Sequence, residues 1–253
     1  MALLKTVYRP GSAAEAASLL AAADQKLAPL AGGSKLIAEL ETRARRDLDG
    51  LVDLSRAGLN RLELVTEGGR QYLRAGATVT LSQITEDEVG GTLANGLLRR
   101  AAAGEGPLNL RNAATVGGVV ASAEYDSEFY AALLALDAGV VLHNGEQEHT
   151  VQLEDLQSIA GLITAVLIPA AAARGGMARV ARTPADRPIV AAAAVQVEGV
   201  ERIALCGVAA RPVLRGAALT PPDDYKGSAA YRLAMAEIVA QRACAEIAAA
   251  PAA

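Results

Sequence analysis

The run Pro29-Leu30-Ala31-Gly32-Gly33-Ser34-Lys35-Leu36 lies between a short apolar stretch (26–30) and an apolar-periodic one (35–42). It reads as a buried strand, a tight turn and the first turn of a helix. Successive glycines carry no Cβ, so their backbone amides can be approached closely. Beside a hydroxyl and a helix start, such amides favour an anion. A second pair occurs in Leu110-Arg111-Asn112-Ala113-Ala114-Thr115-Val116-Gly117-Gly118. Taken singly, each pair reads first as a plain tight turn. Brought together, the two bends would clamp the two phosphates of a dinucleotide from opposite sides.

Around the first bend the chain reads β-α-β-α-β. A short strand covers 5–8, and Ser12 opens a helix with Glu15 completing a capping box. That helix runs through Leu19, Leu20 and Ala23, and a strand follows at 51–54. Downstream, Glu67-Gly68-Gly69-Arg70 joins two strands as a hairpin. Helices are expected near 81–88 and 93–103, then a loop without periodicity over 104–123, then a helix over 127–136. Asn144-Gly145 marks another hairpin, and 162–168 is a strand. Residues 170–176 read as a linker or wide turn. Three strands follow, near 178–181, 189–197 and 203–208. A last helix over 228–248 shows no clean apolar stripe, so burial on more than one side is expected. The class is α+β in three parts: 1–57, 58–169 and 170–253.

Composition bounds the function. The chain has 253 residues, 52% hydrophobic and 21% charged, which excludes disorder. A net charge of -4 offers no field for nucleic acid or an anionic membrane. No apolar run approaches the ~20 residues of a membrane span, and the N-terminus turns polar too soon for a secretory signal. Cys206 and Cys244 cannot form a disulfide framework or hold an iron–sulfur cluster. They read as packed thiols in a reducing cytoplasm. His143 and His149 read as surface residues, so no metal is expected. No G-x-G-x-x-G opens a βαβ unit, and there is no Walker motif or G-x-S-x-G elbow.

In their order, the motifs resemble the FAD-binding medium subunit of the molybdenum hydroxylases, the xanthine dehydrogenase and carbon monoxide dehydrogenase family. The resemblance covers essentially the whole chain. Leu30-Ala31-Gly32-Gly33-Ser34 is similar to the family's first pyrophosphate loop, and Val52-Asp53-Leu54-Ser55 to the strand after it. Ala75-Gly76-Ala77-Thr78-Val79-Thr80 is similar to its Gly-Ala-x-x-Thr turn. Residues 111–118 are similar to its Arg-Asn-x-x-Thr-(Ile/Val)-Gly-Gly loop. Residues 132–138 and 162–169 resemble a following helix and the strand that closes the flavin region. Arg182-Thr183-Pro184-Ala185-Asp186 and Asp224-Tyr225-Lys226-Gly227-Ser228 resemble parts of the C-terminal domain.

This resemblance implies a vanillyl-alcohol-oxidase/p-cresol-methylhydroxylase-type FAD-binding fold of two α/β subdomains. A small C-terminal domain of three-stranded sheet plus helices follows. It implies noncovalent FAD, with the pyrophosphate on the amides of Ala31, Gly32, Gly33 and Ser34, and with Lys35 and Leu36 beside them. Thr115, Gly117 and Gly118 would form the second wall, with Thr78 and Ser122 close by. Glu128 would accept ribityl or ribose hydroxyls, and Ile163 would pack on the flavin ring. The residues alone also read more plainly: Lys35 as an exposed lysine, Glu124, Asp126 and Glu128 as a solvated acidic cluster, Ile163 as core. Tyr125 and Tyr130 read as flavin-lining or as partly buried tyrosines.

The chain departs from the family at Val119, where Asn is usual, at Glu124-Tyr125, where Ser-Pro or Asp-Pro is common, and at Ala178, where a lysine recurs. No catalytic acid–base pair is implied. The implied partners are a molybdopterin-binding large subunit and a [2Fe–2S] small subunit, in a dimer of heterotrimers. The terminal acceptor would be NAD, a quinone or oxygen. A stand-alone flavin oxidoreductase and a flavin-free scaffold are the alternatives.

Overall fold

The computed structural model describes residues 4–22, 24–171 and 173–249. Ala23, expected in the first helix, and Ala172, expected in the turn after Pro169, lie outside them. Three sheets organise the chain. The first is parallel, with order β1 (Thr6–Tyr8), β3 (Gly50–Asp53), β2 (Leu27–Leu30). Helices α1 (Ala13–Ala21) and α2 (Leu36–Glu41) connect its strands. Ser12 caps α1 by accepting from the Glu15 amide, but Glu15 accepts from Gly11 rather than from Ser12. The expected capping box is therefore shifted by one residue at that helix. A complete one forms at Thr80 and Gln83.

The second sheet is antiparallel and five-stranded. Its order is β4 (Leu62–Glu67), β5 (Arg70–Gly76), β8 (Leu162–Pro169), β6 (Gly139–His143), β7 (Glu148–Gln152). The hairpin glycines Gly68 and Gly69 both adopt positive φ, 57° and 79°. That matches the twist of the flanking strands. Between β5 and β6 come α3 (Leu81–Glu86), α4 (Glu88–Gly104), α5 (Leu108–Arg111), α6 (Val116–Ser122) and α7 (Glu128–Ala135). Helix α4 is broken at Leu93–Gly96, where Ala94 and Asn95 take positive φ. The main core lies between this sheet and α1, α3, α4, α6 and α7, and Leu73, Leu97, Leu133 and Ile168 are fully buried in it.

The third sheet is antiparallel, in the order β12 (Val213–Leu214), β11 (Val200–Cys206), β10 (Val190–Val197), β9 (Arg174–Val180). The three expected strands are joined by a fourth of two residues, too short to leave a periodic signal. Ala191 and Ala193 face the main core, while Ala192 and Ala194 face a second core under α8 (Ala229–Ala249). Strand alternation thus lets one alanine run serve two cores.

Several expectations are corrected here. Residues 104–123 are not a plain loop: Thr115 caps α6 by accepting from Gly118, and packing holds a helix whose glycines and valines are poor helix formers. Residues 174–176 are strand, not linker. A Cβ on Gly175 would stand 2.2 Å from the Ala94 carbonyl oxygen, and one on Gly176 would stand 2.0 Å from that of Ala243. The glycines mark close packing against α4 and α8 rather than a turn. Helix α8 buries one face: Arg232, Ala236, Val239, Ala240, Ala243 and Ile247. Its stripe is built of alanine, which hides it in the sequence. His143 is buried, not on the surface, and its Nδ1 accepts from the Gly145 amide at 3.1 Å.

Candidate dinucleotide site between two glycine bends

The first bend, 31–35, leaves the end of β2 and enters α2. Gly33 has φ +72°, a conformation that favours glycine. The amides of Gly32, Gly33, Ser34 and Lys35 donate to no acceptor among the described residues, and the Ser34 hydroxyl makes no bond there either. Helix α2 has only six residues, so these loop amides, rather than a helix dipole, are the bend's electropositive feature. Leu36 turns the other way and packs half-buried in a small core with Ala28, Leu40 and Leu51.

The structure brings the second bend against the first. A Cβ on Gly32 would stand 1.5 Å from the Ala113 carbonyl oxygen, so two backbones 81 residues apart are in direct contact there. Behind that contact the second bend is stitched to the turn after β5. The Leu81 amide donates to Ala114 O at 3.0 Å, Val116 to Val79 O at 2.9 Å and Gly117 to Ala77 O at 3.0 Å. The Gly118 amide donates to Thr115 Oγ1 at 3.1 Å. The amides of Ala113, Ala114, Val116, Gly117 and Gly118 are therefore committed within the protein, unlike those of the first bend, while that of Thr115 donates to no acceptor among the described residues. Gly117 serves by closeness, because a Cβ there would lie 2.7 Å from Ala77 Cβ. Thr78 is half-buried beside it, its amide on Leu59 O.

This sequence matches, over residues 4–171, the family described as FAD binding domain in molybdopterin dehydrogenase. The chain belongs to that family of FAD-binding domains. It is an oxidoreductase component, and FAD is its cofactor. The uncharacterized protein YgfM of Escherichia coli K12 is 29% identical over 251 residues, 91% of each chain. A chain of the cyanide-inactivated Cu,Mo-CO dehydrogenase superposes with TM-score 0.84 at 25% identity, covering 95% of this chain and 96% of that one. A chain of quinoline 2-oxidoreductase from Pseudomonas putida 86 gives TM-score 0.82 at 24% identity, covering 96% of both.

The remaining expected site residues of this FAD-binding chain are distributed as follows. Ser122 ends α6 and donates to Val119 O at 3.2 Å. Ile163 is 6% exposed, in the main core. Lys35, exposed, pairs with Glu124. Glu128 opens α7 and is 1% exposed. Neither of its carboxylate oxygens has a hydrogen-bond partner among the described residues, and Arg179 Nε stands 3.4 Å away. Burial pushes its carboxyl up to about 7, with Arg179 opposing and Glu105 adding to the rise. Arg100, Met177, Arg179 and Glu128 line a cavity of about 180 Å³.

Asp126 is also buried, paired with Lys226 at 2.6 Å and Arg187 at 3.1 Å. The solvated acidic cluster is therefore corrected: Asp126 and Glu128 lie under the C-terminal sheet, where arginines face them. Tyr130 is core, while Tyr125 donates to Asp224 at 2.8 Å. Val119 is buried in the main core, and Ala178 faces the core under α8.

Sequence reading missed Arg179, Arg187 and Ala113. The arginines lie far along the chain from the carboxylates they face. Ala113 contributes only a carbonyl, which no side-chain pattern reports.

Proposed function

We propose that this chain is the FAD-binding electron-transfer subunit of a multi-subunit molybdenum hydroxylase working in the cytoplasm. It receives electrons from the [2Fe–2S] clusters of a small partner subunit, which are fed in turn by a molybdopterin-binding large subunit. It passes them to NAD, a quinone or oxygen, within a dimer of heterotrimers. Coverage of nearly the whole chain by single chains of a CO dehydrogenase and a quinoline 2-oxidoreductase supports this assignment. Division into 1–57, 58–169 and 170–253 is supported by three sheets, each formed within one of those parts.

One observation carries the reading: four uncommitted amides, Gly32 to Lys35, stand beside a backbone contact with the second bend. Such amides suit an anion, and no acceptor among the described residues takes them. Ala31, Gly32, Gly33 and Ser34 would hold the pyrophosphate, flanked by Lys35 and Leu36. Thr115, Gly117 and Gly118 would shape the opposite wall, with Thr78 and Ser122 behind it. The buried Glu128 carboxylate, with no hydrogen bond of its own, fits an acceptor for ribityl or ribose hydroxyls. Ile163 would pack on the ring. When bound, FAD supplies the exchange between single electrons and an electron pair. The chain's own residues bind and orient it.

Reconstitution tests this. The purified full chain incubated with FAD and desalted should retain stoichiometric flavin absorbance, and should co-purify with a molybdenum chain and an iron–sulfur chain. A colourless protein after reconstitution would reject the reading.

A further inference from the structure

The two walls of the dinucleotide site are joined at two places of different character. At Gly32 and Ala113 the join is backbone on backbone, and no side chain can swing aside to open it. At Lys35 and Glu124 the join is an ion pair between side chains 48% and 34% exposed. Lys35 directly follows the first bend, and Glu124 lies two residues beyond the end of α6, which grows from the second. Each partner therefore stands just downstream of one glycine pair.

Glu124 is held from behind. Its neighbour Tyr125 donates its hydroxyl to Asp224, and the Tyr125 carbonyl accepts from the Gly207 amide at 2.6 Å. Asp126 is buried against Lys226 and Arg187. The carboxylate is thus mounted on a backbone fixed to the C-terminal domain. The lysine, more exposed, is the other jaw.

Resting on the flavin reading above, we propose that Lys35 and Glu124 form a clasp across the two walls that gates entry and exit of the dinucleotide. Glu124 is its positioning residue. Glu124 neutralises Lys35 and closes the edge, with the diphosphate in place or not. Because the pair is partly exposed, its opening limits rates more than it sets affinity.

The test uses the full chain and FAD, with flavin fluorescence as the readout of association and of release on dilution. Glu124→Gln should speed both by about two- to five-fold, the span of an ion pair of up to about 1 kcal/mol, with Kd within about twofold of wild type. Lys35→Met opens the clasp but also removes a cation beside the pyrophosphate, so it should release FAD faster and bind it more weakly, whereas Glu124→Gln changes the rates alone. Thermal melts of the FAD-free variants check that the fold is kept, and Glu124→Ala serves if Glu124→Gln melts early. Unchanged rates in a wild type and variant that both bind FAD overturn the clasp alone. So does slower release in Glu124→Gln, which would make Glu124 a mere repelling charge. A wild type that takes up no FAD overturns the flavin reading and the clasp with it.

Discussion

Glu128 sits in an environment far from its ordinary chemistry. It is buried, its oxygens accept no hydrogen bond among the described residues, and its carboxyl is pushed up to about 7 by burial. In the unfolded chain the same group ionises near its ordinary 4.5. Between those values the folded state binds more protons than the unfolded one. Stability should therefore fall as pH rises through that window and level off above it. The shift corresponds to roughly 3 kcal/mol. Glu128→Gln cannot ionise, so its unfolding free energy should lack this decline and exceed that of wild type at pH 8. Urea unfolding of the FAD-free chain from pH 5 to pH 8 measures both. Parallel curves for variant and wild type would mean that the carboxylate is solvated or that its pairing with Arg179 offsets its burial. The sequence exposes none of this, because Glu128 next to Asp126 and Glu124 looks like an ordinary acidic helix start.

Among the elements, the first bend was legible and the second only partly so. Pro29 to Leu36 combines strand, glycine pair and helix in eight consecutive residues, so local rules suffice. Residues 104–123 form α5 and α6 against those rules, because Val79 and Ala77 accept bonds from outside the segment while Thr115 caps α6 from within it. The same physics hid β9: glycines that signal a turn locally here admit α4 and α8 to the strand. Gly32→Ala tests the contact between the bends. The methyl would overlap the Ala113 carbonyl, and with backbone on both sides the walls must part. FAD affinity should drop by at least about tenfold, roughly 1.4 kcal/mol, in a titration followed by flavin fluorescence. Gly68→Ala is the control. Unlike Gly32, Gly68 sits at positive φ, but with nothing within 4 Å among the described residues, and Gly68→Ala should lose about 1 kcal/mol of stability with FAD affinity intact. Equal FAD affinity in Gly32→Ala and wild type would separate the bends functionally.

On the scale of the whole molecule, buried charge joins the C-terminal sheet to the rest. Arg187, between β9 and β10, donates to Glu105 just past α4 and lies 3.1 Å from Asp126 just before α7. Both carboxylates are nearly inaccessible. Burial would lower the guanidinium, but Glu105, Asp126 and Glu124 outweigh it and hold it above its ordinary value. Removing the arginine leaves the carboxylates with partial compensation. Ser127 and Phe129 still donate to Glu105, and Lys226 still pairs with Asp126. Breaking a buried pair outright costs about 3–5 kcal/mol, so Arg187→Met should lose about 2–3 kcal/mol at pH 8. Adding Glu105→Gln removes one orphaned charge and should return part of the loss. Denaturant unfolding of the three proteins at pH 8 decides it. An Arg187→Met protein within about 0.5 kcal/mol of wild type, the range of an ordinary surface change, would mean that apolar packing of β10 and β11 on α7 is enough to hold the C-terminal sheet in place.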